Sequence, residues 1–107
     1  MLEIEHPLTG EKLQVANKDF KFKMGFYDAI RACENLGSGW RLPTIEELEL
    51  MYEKLHKKGI GNFHNDCYWS SSENDAGYAC IQRFSRGELD YDYGKGVACY
   101  VRAVRAF

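Results

Sequence analysis

The chain has 107 residues, a hydrophobic fraction of 45% and a net charge of −2 from 14 basic and 16 acidic residues. That length accommodates a single domain over residues 1–107 with its own core, and leaves no room for a second unit. The longest basic run, Lys57-Lys58, is too short for a nucleic-acid footprint, and no stretch approaches the ~20 apolar residues of a membrane span.

The opening MLEIEHPLTG lacks the charged head and apolar middle of a secretory leader. As written the chain is expected in the cytoplasm; a trimmed piece of an exported protein is the other expectation. Leu2 and Ile4 alternate with acids, Pro7-Leu8-Thr9-Gly10 reads as a turn, and Leu13 and Val15 alternate again, which predicts a terminal strand or short hairpin. Phe26, Ala29, Ile30, Cys33 and Leu36 follow helical spacing, and Gly37 suits a left-handed C-terminal cap, so a first helix is predicted over 26–36. Cys33 lies on its buried stripe as a small apolar residue.

The second helix is announced by a capping box, Thr44 with Glu47 three residues on, and by Pro43 placed to staple against Leu48. Leu48, Met51, Tyr52 and Leu55 form its inner face. Glu46, Glu47 and Glu49 suit the positive helix start, His56, Lys57 and Lys58 the negative end, and Gly59 the stop. His56 therefore reads as a helix-end cation and not as a ligand or base. From Cys67 onward strands are predicted over 68–72, 78–84, 89–93 and 97–107, separated by turns at 85–88 and 94–96. Helices followed by a run of strands predict an α+β fold with an antiparallel meander.

The four cysteines, Cys33, Cys67, Cys80 and Cys99, allow three full pairings, but contain no C-x-x-C and no histidine at zinc-ligand spacing. A reducing compartment implies free thiols. Trp40 and Trp69 read as core anchors with one N–H each to satisfy. Arg41, Arg102 and Arg105 sit inside apolar words, where the stem covers core edge and the guanidinium ties carbonyls or a carboxylate such as Glu47 or Glu73. Ser70-Ser71-Ser72 has no G-x-S-x-G elbow, and the nearest histidine, His64, is unanchored in the sequence. A hydroxyl network bonding backbone is expected there.

Two words, Gly39-Trp40-Arg41-Leu42-Pro43-Thr44 with Glu47-Leu48, and Tyr68-Trp69-Ser70-Ser71-Ser72-Glu73 with Phe84, Gly87 and Tyr100-Val101-Arg102-Ala103-Val104-Arg105, carry a resemblance over roughly residues 24–107. The chain resembles the Lcl C-terminal-domain-like family of the C-type-lectin-like superfamily. It also resembles the C-terminal domains of variable ligand-binding proteins diversified by retroelements. The resemblance implies paired termini, two helices flanking a twisted antiparallel sheet, and one displayed surface. It implies a protein or glycan ligand without saying which. It leaves open a Cys33–Cys99 bridge, since C-type lectins commonly link their first helix to a late strand. It supplies a framework match only for Cys33, and makes Cys67, Cys80 and Cys99 sampled side chains, with Cys80 and Cys99 at the surface or an edge.

Within the second word, between Glu73 and Tyr100, lie Asn74, Asp75, Tyr78, Arg83, Arg86, Glu88, Asp90, Tyr91, Asp92 and Tyr93, a segment poor in aliphatics. Tyrosine gives large contact area at low entropic cost, and Asp, Asn and Gly give adaptable polar contacts. These residues are the expected ligand-binding surface; solvated strand edges with acids that discourage edge pairing are the plainer reading. Strand alternation would put Asp90 and Asp92 on one face and Tyr91 and Tyr93 on the other, whereas a turn here would present all four together. No catalytic residue, cofactor or metal is expected. The calcium words of the superfamily are missing, and Asn74, Asp75, Asp90 and Asp92 alone do not make six to eight arranged oxygens. Two alternatives remain: a remnant of the related formylglycine-generating enzymes, with Cys80 and Cys99 as the thiol pair, and a structural or oligomerising domain resting on Tyr91 and Tyr93.

Overall fold

The computed structural model describes residues 2–106. Strands β1 (Leu2–Glu5) and β2 (Lys12–Val15) form the predicted hairpin and are followed by helices α1 (Phe26–Glu34) and α2 (Ile45–Lys54). A 3₁₀ turn, His56–Lys58, leads to β3 (Cys67–Glu73), β4 (Tyr78–Arg83), β5 (Glu88–Gly94) and β6 (Val104–Ala106). The α+β expectation is met. No helix among the described residues is long and apolar enough to cross a membrane.

The strands form two three-stranded antiparallel sheets, β1-β2-β6 and β3-β4-β5, in place of one continuous meander. The predicted strand over 97–107 is the source of the difference. Only Val104–Ala106 is regular strand, and Phe107 lies outside the described residues. Before it the backbone changes partner almost residue by residue: Cys99 bridges Met24, Tyr100 runs parallel beside Tyr68, Val101 accepts from the Phe20 N–H and Ala103 from the Ala16 N–H. Val104 then exchanges both backbone hydrogen bonds with Arg41. This segment threads through the middle of the molecule, because Val101, Arg102, Ala103 and Val104 are all buried. Pairing of β2 with β6 brings the two ends of the chain into one sheet.

Alternation along β3 divides the core. Tyr68 and Trp69 are both fully buried, yet on a strand they point to opposite faces. Trp69 joins Phe26, Ala29 and Cys33 of α1, with Ile81, Cys99 and Val101; Tyr68 joins Leu48, Met51 and Leu55 at α2, with Phe84 and Val104. The helices therefore flank the β3-β4-β5 sheet, one on each side. The α1 stripe ends sooner than its spacing predicts. Asn35 caps the helix, and Leu36 is half exposed beyond it.

The start of α2 forms as its sequence prescribes. Thr44 Oγ1 accepts from the Glu47 N–H, the Glu47 carboxylate accepts from the Thr44 N–H, and Arg41 clasps the same carboxylate at 2.7 and 2.9 Å. Burial opposes ionisation of Glu47, but hydrogen bonds from Arg41 and Thr44 outweigh it and hold this carboxyl below its ordinary range. A depressed folded-state pKa stabilises the fold above the unfolded value, near 4.3, and the benefit is lost as pH falls through the folded value. Urea unfolding of the Glu47→Gln variant is accordingly expected to show a shallower stability loss than wild type between about pH 5 and pH 3. Parallel acid limbs would show that Glu47 is not a source of it.

His56 does more than neutralise a helix end. It stacks on Phe84 at 5.3 Å, and its Nε2 lies 2.7 Å from Asn65 Oδ1. The turn after β4 needs Gly87 twice over, for its positive φ of 80° and because a Cβ there would come within 2.6 Å of the Tyr52 ring.

Candidate functional site

The predicted surface falls on the β4–β5 hairpin and the loop before it. At the loop, Asp75 Oδ1 accepts from the Gly77 and Tyr78 N–H groups at 2.8 and 3.0 Å, an Asx turn that sets where Tyr78 emerges. Asn74 donates from its side-chain amide to Asp92 Oδ1 and ties this loop to β5. Tyr78 and Tyr91 remain 47% and 54% exposed, while Tyr93 is half-buried with its ring edge on Trp69.

The strict alternation predicted for Asp90 to Tyr93 does not occur. Ile81 pairs with Asp90 and Ala79 with Tyr93, so β5 carries an extra residue against β4. Directly opposed residues share a face, which puts Asp90 and Tyr93 on the same side as Ala79, Ile81 and Arg83. Arg83 bonds Asp90 at 3.1 Å and lies 5.6 Å over the Tyr93 ring. Hydrogen bonding to the Asp92 N–H, then to Arg83, holds the Asp90 carboxyl below its usual range. The Cys67 thiol, 3.7 Å from the Tyr93 hydroxyl, and then burial push that phenol up to about 12. Arg86 and Glu88 pair at 2.8 Å at the far turn of the hairpin, apart from Asn74, Asp75 and Tyr78; both are exposed and the pair contributes little to stability.

The surface extends past the segment read from the sequence. Cys67 is paired with Arg83 across β3 and β4. Beside it Lys23 bonds Asp66 at 2.7 Å and lies 5.1 Å over the Tyr100 ring. Tyr100 stacks on His64 at 3.9 Å, and His64 Nδ1 sits 2.7 Å from Asp19 Oδ2, so this histidine is anchored after all. Lys23 and His64 carried no local signal because they lie in irregular segments, and only the threading of 99–101 brings them to the sheet. Lys95, from the predicted turn 94–96, is buried against Phe26 and Tyr27 and bonds Glu73 at 2.9 Å.

The other framework expectations divide. Trp69 donates to Met24 O at 2.8 Å and is fully buried, whereas Trp40 is half-buried under the Arg105 guanidinium. Arg41 finds Glu47, but Arg102 finds Asp19, and Arg105 bonds Gln14. Ser70 Oγ donates to Cys80 O at 2.7 Å and accepts from the Ser72 N–H, the expected hydroxyl network. All four cysteines are free thiols, so no Cys33–Cys99 bridge is present. Cys80 and Cys99 are buried, not surface residues: β4 is the central strand of its sheet and is buried from Ala79 through Gln82, and the bridge to Met24 carries Cys99 in. Cys80 faces the Tyr91 carbonyl while Cys99 interacts with Cys67, contacts that do not assemble the Cys80–Cys99 pair of the enzyme alternative.

Clefts of about 460 and 580 Å³ lie at the terminal hairpin and α2, so the Tyr/Asp surface is a wall of neither. The sequence model of the Lcl C-terminal domain family matches residues 8–105. A comparison with curated proteins finds none that matches.

Proposed function

The chain belongs to the Lcl C-terminal domain family, and from that premise we propose that it is a non-catalytic binding module whose β4–β5 hairpin recognises a protein or glycan. The observation that carries this reading is the pair of half-exposed tyrosines, Tyr78 and Tyr91, on strands whose polar neighbours are already tied to one another. A surface ordered before its ligand arrives has little conformational entropy left to lose on binding, and its tyrosines supply contact area. Asn74, Asp75 and Asp92 order the backbone beside these two tyrosines, while Arg83, Asp90 and Tyr93 form a separate cluster on the Ala79 and Ile81 side of the sheet. In this reading the fold is the C-type-lectin-like arrangement of paired termini and flanking helices. The oligomerising alternative loses part of its basis, because Tyr93 packs on Trp69 and its replacement would disturb the core as well as any contact between copies.

The test compares wild type with a Tyr78→Ala/Tyr91→Ala variant on glycan arrays and in pull-downs read by mass spectrometry. A specific ligand of the wild type should lose at least about tenfold in affinity in the variant, the loss of roughly 1.4 kcal/mol. Its thermal midpoint should stay within a few degrees, since exposed substitutions usually change stability by about 0.5 kcal/mol each. Equal retention by both proteins would remove this hairpin from the binding site.

A further inference from the structure

We propose that Cys67 and Cys99 form an intramolecular disulfide when the folded protein meets an oxidant, making them a redox modification site that ties β3 to the threaded segment before β6. Tyr68 and Tyr100 face each other in a parallel bridge, in which Tyr100 donates to Cys67 O at 2.9 Å and Trp69 donates to Tyr100 O at 3.2 Å. One residue back along both chains, Cys67 stands beside Cys99 in the same register. Neighbouring strands run about 4.8 Å apart, within the span of about 4.4–6.8 Å that a disulfide bridges between Cα atoms. Residues in register share a face, and both cysteines do enter the same core: Cys99 is fully buried there and Cys67 packs against it from the partly exposed edge.

The environments give the two sulfurs different parts. Cys99 has no exposure, and burial first, then the neighbouring Cys67, raise its pKa far above that of a free thiol. Cys67 is the half-buried partner and keeps some exposure, so of the two it is the one a peroxide reaches first. The Cys67 sulfur takes an oxygen from hydrogen peroxide, giving a sulfenic acid and one water. The Cys99 sulfur then attacks the Cys67 sulfur and displaces hydroxide, which leaves as a second water with the Cys99 proton. Two thiols and one peroxide give one disulfide and two waters, the peroxide taking up the two electrons that the sulfurs lose. Cys80 lies outside this arrangement, with its thiol toward the Tyr91 carbonyl.

The experiment is oxidation of the folded 107-residue chain with stoichiometric hydrogen peroxide, followed by alkylation under denaturing conditions and peptide mapping. The expected result is a monomer two mass units lighter, with two alkylatable thiols and one cross-linked peptide joining Cys67 to Cys99. The same link should appear in a Cys80→Ala variant and be lost in Cys67→Ser, whose side chain sits at the edge and whose fold can be verified by circular dichroism. Four alkylatable thiols after oxidation, a link involving Cys33 or Cys80, or a disulfide only between molecules would each overturn the proposal. None of these readouts depends on the binding surface proposed above.

Discussion

Replacing Trp69 with alanine is expected to destabilise the domain by roughly 3–5 kcal/mol, measured by urea or thermal unfolding. The ring has no exposed surface, and its indole N–H is spent on Met24 O, so truncation loses burial and leaves that carbonyl without its donor. The cavity would open where α1, β3 and β5 meet, since Phe26 and Tyr93 both make T-shaped contacts with Trp69, with ring centres 5.4 and 5.9 Å apart. The neighbours resist collapse into it because β3 is held on both sides, by β4 and by the backbone at Tyr100. A loss near 1 kcal/mol would mean that α1 slides inward and that the platform beneath the candidate surface is softer than its packing indicates. The same variant would also be expected to release Tyr93, and so to loosen the binding face through its support.

The second large effect is expected at Arg102, a full charge with 1% exposure. Its guanidinium donates to Asp19 Oδ1 at 2.7 Å, to Ala16 O at 3.0 Å and to Gly61 O at 2.8 Å, and it stacks 4.0 Å from the centre of Phe63. Asp19 is nearly as buried and also accepts from the Tyr68 hydroxyl at 2.5 Å. Replacing Arg102 by alanine strands that carboxylate and two carbonyls at once, for an expected loss of about 3–5 kcal/mol. An Arg102→Met/Asp19→Leu double variant should lose clearly less than the sum of its single changes, since neither charge is then left buried without its partner. Additive losses in denaturant titrations would show that the two side chains act independently.

These sites were legible to different degrees. Trp69 was identifiable as an anchor because a large apolar ring sat at an inward strand position. Arg102 was identifiable as a structural cation, but its partner was not: Asp19 lies 83 residues away, and Glu47 and Glu73 were the nearer guesses. At the candidate surface the Tyr/Asp-rich composition and the hairpin turn at 85–88 were readable in the sequence, whereas the Asx turn at Asp75 emerged only in the structure. The bulge that moves Asp90 and Tyr93 to one face was not, because an extra residue is accommodated by the partner strand and leaves no mark in the strand's own alternation.

What the sequence determined alone is the part governed by neighbours a few residues apart: the Thr44–Glu47 cap, the apolar face of α2, the hairpins and the α+β order of elements. Tertiary structure decided which strand partners the last one, where His64 and Lys23 come to rest, and that Cys67 lies beside Cys99. The physical reason is that local rules are settled by steric and hydrogen-bond geometry within one turn or one strand pair. The course of residues 97–106 is settled instead by where Val101, Arg102 and Val104 can all be buried and satisfied together.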